Sequence, residues 1–269
     1  MFPEVWQQRG EARQRLVRPA ARFIAEAMRG TCARTSSSYT SRVHRFFTPL
    51  LRRLYVLVAA FVVVYGAFWS GQYTRWNKER LYRKLVSGNR EEKTSAAFDL
   101  AWLGGQDQLL RAIKSTSEPV RSVAIDSLWS LWFHAAGREA FHRAQSADRA
   151  LRQQKFADAL AILNRTTAEY PRFAEGWNRR AILFWEMGKY EQSLADCKRV
   201  VALNPKHFGA WQGMGLCQLQ LGDLESAVTS LRAALRINPH DRGLRETLRR
   251  CEELLRKLSP NQKDEWEIV

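Results

Sequence analysis

Three prolines, Pro171, Pro205 and Pro239, stand 34 residues apart, and much of the chain between them repeats at the same interval. Trp177 returns as Trp211, Gly188 as Gly222, Tyr190 as Leu224, Ser193 as Ala227 and Val200 as Ala234. A fixed period of this length describes one supersecondary unit used repeatedly, each copy covering apolar surface that its neighbour leaves bare. Each element of the period has a physical reason. The tryptophans fill the space between two helices of one unit, and Ala181 and Gly215 let a neighbouring helix come close. Gly188 and Gly222 fall where the first helix must end, because glycine tolerates the left-handed backbone of a C-cap. Ser193 and Ala227 are small again at the crossing. Pro205 and Pro239 close the second helix, since proline has no N–H to continue it.

The skeleton Trp…Gly…Tyr/Leu…Ser/Ala…Pro of residues 174–205 and 208–239 resembles the tetratricopeptide repeat family. The resemblance implies an all-α fold of stacked helix pairs, with the first helix of each pair lining a concave groove. Carried over by position, the lining would be Asp148, Leu151 and Arg152, then Glu175, Asn178, Ile182, Trp185 and Glu186, then Gln212, Leu216, Leu219 and Gln220. Of these, Arg152, Asn178, Trp185, Glu186, Gln212 and Leu219 are the expected partner-binding residues. Trp185 is either an anchor for a partner's apolar side chain or a ring packed beneath the preceding helix. Ala144 and Gly209 stand where family members that hold chaperone C-termini carry polar clamp residues, which speaks against that client.

A weaker first copy lies upstream. Counting back from Pro205, Tyr190 and Ser193 reaches Pro171, Phe156 and Ala159, while Gln154 replaces the turn glycine and Arg143 the tryptophan. Terminal repeats are often atypical in this way, so three repeats are expected over 140–241. Residues 242–258 place Leu244, Leu248, Cys251, Leu254, Leu255 and Leu258 at helical spacing, as a capping helix requires. Upstream, Ala97, Asp99 and Trp102 echo as Ala124, Asp126 and Trp129. The segment 79–135 resembles short HEAT-type helical repeats, with Ser117 as an N-cap and Pro119 in the first turn. Joined end to end, these pieces predict a continuous right-handed α-solenoid from about residue 80 to 258.

Charge is unevenly placed. The chain carries a net +16, yet residues 1–90 hold 17 Lys+Arg against 4 acids and residues 91–139 only 5 against 7. The helical part is close to balanced, which argues against a nucleic-acid footprint and against an RNA-binding helical repeat, which needs basic polar columns at fixed positions. Residues 54–69 form an apolar run with no charge until Arg75. Extended through Tyr73 it reaches the ~30 Å of a bilayer core. Arg52, Arg53, Arg75 and Lys78 flank it, with Trp69, Tyr73 and Trp76 at its outgoing edge, as a single membrane helix places them. Basic residues on both sides leave its orientation open. Residues 1–53 hold eleven arginines, no lysine and three acids. That composition fits an organellar presequence, mitochondrial rather than plastid, or else the basic tail of a bacterial plasma-membrane protein. Residues 259–269 read as a loose acidic tail whose Trp266, Ile268 and Val269 offer themselves to a partner.

Chemistry is not apparent. Cys32, Cys197, Cys217 and Cys251 have no C-x-x-C pair or metal spacing, and Cys197 and Cys217 fall on core-facing positions. His207 and His240 follow the inter-repeat prolines and are expected in solvated turns. No cofactor, metal or small-molecule substrate is implied. The sequence reads as a non-enzymatic, membrane-anchored scaffold or adaptor that holds another protein, as an accessory subunit or assembly factor of a membrane complex.

Overall fold

A computed structural model describes residues 41–258. Residues 1–40 of the basic extension and the tail 259–269 lie outside the described residues. The chain divides into two compact units, 1–68 and 69–269. Among the described residues every regular element is a helix: α1 (Ser41–Ser87), α2 (Arg90–Trp102), α3 (Gln106–Ala112), α4 (Glu118–Phe133), α5 (Arg138–Arg152), α6 (Phe156–Glu169), α7 (Ala174–Glu186), α8 (Tyr190–Leu203), α9 (Phe208–Gln220), α10 (Leu224–Ile237) and α11 (Arg242–Leu258).

In the first unit, Val56, Leu57, Val58, Phe61, Val62, Val63, Val64, Tyr65 and Phe68 each keep more than half of their surface exposed. By length and composition alone, Val56–Ser87 is long and apolar enough to cross a membrane. In the second unit, Leu81 and Leu85 of α1 are buried with Leu100 of α2, Leu109 of α3 and Val120, Ala124 and Leu128 of α4. Arg111 holds Glu79 through both guanidinium nitrogens at 3.0–3.1 Å. A capping box starts α2: Asn89 Oδ1 accepts from the Glu92 backbone N–H and Glu92 Oε2 from that of Asn89, both at 2.9 Å. Ser117 does occupy the N-cap position of α4 with Pro119 in the first turn, but its hydroxyl makes no capping bond. Ser115 Oγ instead accepts the Ser117 N–H at 3.2 Å.

Three helix pairs follow, α5/α6, α7/α8 and α9/α10. The period has a hydrogen-bonded logic that spacing alone did not disclose. Trp177 Nε1 donates to the carbonyl of Pro171 at 3.1 Å, and Trp211 Nε1 to that of Pro205 at 3.0 Å. Each tryptophan thus ties the start of one repeat to the proline that closes the previous one. In the first copy Arg143 replaces the tryptophan and pairs instead with Glu139 and Glu169. Ser193 Oγ donates to the Ala181 carbonyl at 2.8 Å, and a Cβ on Gly215 would lie 2.6 Å from Leu231 Cδ2. The small residues sit at real crossings.

Gly188 and Gly222 close α7 and α9 at φ of 70° and 79°, and Gln154 closes α5 at 59°. It is the one positive-φ residue other than glycine among those described. The degenerate repeat keeps the turn and carries the strain of an L side chain in it, about 1–2 kcal/mol. Gln154→Gly is therefore expected to stabilise the protein by about 1 kcal/mol, read as a higher midpoint in urea with an unchanged slope. Beyond the repeats, α11 buries Leu244 and Cys251 against Val228, Leu231 and Ala234, with Leu248 and Leu255 at the margin. Leu254 and Leu258 were expected on this apolar face but are 51% and 73% exposed. Leu254 lies at the margin of that face and Leu258 at the end of the helix.

The continuous solenoid does not hold. In a solenoid each helix pair touches only its neighbours. The end of α4 does meet α5, where Phe133 and Phe141 rings stand 5.4 Å apart. Its aromatic face, however, also packs on the start of α9 in the third repeat, two helix pairs further along. His240, just past α10, reaches back to the Lys114 carbonyl at 3.3 Å.

Candidate interaction groove

α4 lies against all three first helices: Phe133 stands 5.4 Å from the Phe141 ring of α5 and 4.7 Å from Arg179 of α7, and Trp129 and Trp132 meet Phe208 at the start of α9. Trp132 stacks on the His207 ring at 4.5 Å and 23°, and Trp129 stands edge-on to His207 and Phe208 at 5.2 and 5.4 Å. Trp129 fills the place of a missing side chain, since a Cβ on Gly209 would come within 2.6 Å of its ring. The glycine that sequence comparison read as an absent clamp residue is the seat of a tryptophan.

Beneath these rings is a buried polar cluster. Glu175 is 0% exposed and accepts from Arg179 Nη2 at 2.7 Å, Asn178 Nδ2 at 3.1 Å and His207 Nε2 at 3.1 Å. The Ala210 backbone N–H donates to His207 Nδ1 at 3.0 Å, so the ring proton resides on Nε2 and points at the carboxylate. His207 is thus fully buried at the N-cap of α9, against the expectation of a solvated turn. Arg179 also reaches Asp148 at 3.5 Å and lies 4.7 Å from the Phe133 ring. Its Nε is buried without a partner, a cost of about 1–3 kcal/mol. Burial pushes the Asp148 carboxyl above its ordinary range, with Arg179 opposing and Glu175 adding to the shift.

The expected binding residues therefore divide. Asn178 is hidden, 4% exposed and committed to Glu175. Leu219 is half-buried in the cluster formed with α10 and α11. Trp185 is half-buried, its ring edge-on to Tyr190 at 5.0 Å, so it leans on the second helix of its own repeat. Gln212 is half-buried, while Arg152, Glu186, Ile182 and Gln220 are exposed. Arg179 and His207, which organise the buried cluster, carry no periodic signal that would have singled them out.

Cys197 and Cys217 are buried, as their core-facing positions required, and so is Cys251. Burial pushes the Cys197 thiol up to about 12, which leaves almost no nucleophilic thiolate at neutral pH. Among the described residues no three His, Cys, Asp or Glu side chains converge to hold a metal ion.

The tetratricopeptide repeat family profile matches residues 145–186 and 178–242, from the second half of α5 to the first residue of α11. These segments are tetratricopeptide repeats. A TPR repeat-containing protein of Rhizobium etli is 32% identical over 87 residues, covering 32% of this chain and 43% of the relative. The chain thus spans less than half of that curated relative's length. Among solved structures, the first TPR domain of human RPAP3 has a TM-score of 0.43 at 20% identity, covering 45% of this chain and 96% of that one. The Sgt2 TPR domain of Aspergillus fumigatus gives 0.43 at 14% identity, covering 49% and 88%. The profile match does not reach residues 79–135 or the apolar helix.

Proposed function

We propose that this chain is a non-enzymatic scaffold or adaptor that is moored to a bilayer by residues 54–73 and holds another protein on its repeats. Its place is in an organellar membrane, mitochondrial by the composition of residues 1–53, as an accessory subunit or assembly factor of a membrane complex. Residues 79–135 act as a HEAT-like helical bridge between anchor and repeats. The observation that carries the reading is the pairing of tetratricopeptide repeats, a protein-interaction module, with an exposed apolar helix in one chain. The open half of the groove, around Ile182, Trp185 and Glu186, supplies the contact surface.

Tagged full-length chain is expected to stay with membranes through alkaline carbonate extraction. After detergent release it should capture a defined partner, and Trp185→Ala with Glu186→Ala should reduce capture at least tenfold at unchanged helicity. Washing off at alkaline pH removes the anchor from this account, and undiminished capture removes the groove. A second reading places the protein in a bacterial inner membrane, favoured by the Rhizobium relative. Import of residues 1–53 fused to a reporter into isolated mitochondria separates the two.

A further inference from the structure

The buried end of the groove holds a helix of this chain, and the details of the fit say what kind of ligand the groove takes. One face of α4, with Val120, Ala124 and Leu128, belongs to the core shared with α1, α2 and α3. Trp129, Trp132 and Phe133, at positions i, i+3 and i+4 of the same helix, reach the repeats, and Trp132 also belongs to that core, which takes in Phe208 of α9. Trp129 enters the notch above Gly209, Trp132 covers His207, and Phe133 lies against Arg179. Trp129 and Phe133 are only half-buried, and the contact leaves Arg179 Nε unpartnered. The segment joining α4 to α5 contains Gly137 at φ 89°, a place where the backbone can swing.

We propose that this end of the groove is a docking site for a helix that presents aromatic side chains at i, i+3 and i+4, and that α4 is its resident, displaceable occupant. The partner is an amphipathic helix with two tryptophans or their like on one face. A peptide that relies on a free C-terminal carboxylate finds its place taken by rings and a buried glutamate. A partner helix competes with α4, so engagement of the groove releases the unit of residues 81–133, from the end of α1 through α4, from the repeats. The inference rests on the proposed function only in taking the groove as the interaction surface.

The test uses full-length protein in detergent micelles and a fluorescein-labelled synthetic peptide of residues 118–133. Protein with Trp129→Ala and Phe133→Ala should bind this peptide at least tenfold more tightly than wild type, because its own α4 no longer holds the site. Adding Gly209→Leu to that variant should abolish the gain, and a peptide carrying Trp129→Ala and Trp132→Ala should not bind. Equal binding to wild type and variant overturns the proposal. So does no binding to a variant whose repeats still melt cooperatively, or binding that Gly209→Leu leaves intact. Hydrogen exchange on wild type keeps the test sharp if the variant fails to fold. Excess unlabelled peptide should speed exchange in 118–133 while 208–220 stays protected, and identical exchange of both segments with and without peptide overturns displacement. Protein that passes these tests yet captures nothing from membranes sinks the scaffold reading and leaves this one standing.

Discussion

Glu175→Ala is expected to cost about 3–5 kcal/mol of stability, measured by urea unfolding followed by circular dichroism. The carboxylate is fully buried and answers three donors on two helices. Its removal leaves the Arg179 guanidinium with only the longer 3.5 Å contact to the Asp148 carboxylate and the Phe133 ring beside it. It also strands the His207 Nε2 proton and the Asn178 amide. Most of the loss comes from the uncompensated charge, so Glu175→Gln, which keeps an acceptor of similar shape, should cost less than Glu175→Ala. A loss below about 1 kcal/mol for the alanine variant would mean that water reaches Arg179 and that α4 does not seal the groove.

Trp132→Ala should be of similar size, about 3–5 kcal/mol. The ring is 4% exposed, lies between the α1–α4 core and His207, and its Nε1 donates to Gln106 Oε1 at 2.7 Å. Deleting it opens a cavity where α4 and the third repeat share a core. Trp129→Ala, at a half-buried site, should cost clearly less. Equal costs for the two would contradict the stacking geometry. Trp132→Phe should recover part of the loss, because it restores the ring but not the bond to Gln106.

How much of this was legible in the sequence follows from the range of each interaction. The repeat boundaries, the turns at Gly188 and Gly222 and the small residues at the crossings are local, and the period exposes them. Even the eroded first copy was readable, since Gln154 keeps the turn of the glycine it replaces. The seating of Trp129 over Gly209 joins residues 80 positions apart that belong to different kinds of element. No period relates them, so nothing marked Gly209 as the seat of a ring, while His207 looked like a solvated turn and Asn178 like an open contact. The His207 misreading has a clear cause: α4 was assigned to the end of a stack and lies across it. Trp185 was underdetermined for another reason. A ring at that position serves the groove or the neighbouring turn equally well by spacing, and only the edge contact to Tyr190 decides which atoms it leans on.

The reach from His240 back to Lys114, 126 residues along the chain, has a consequence for how this molecule folds and fails. An open row of helix pairs frays from its tips, one unit at a time, since each needs only the next. Here the third repeat is fastened back to the helices that precede the repeats, so with no competing helix present these pairs should come apart together rather than one by one. Bringing distant segments together before they gain anything from contact also slows assembly. Newly made chain therefore passes through a period in which the tryptophans of α4 are bare, and a cell must protect it from clumping until the clasp closes.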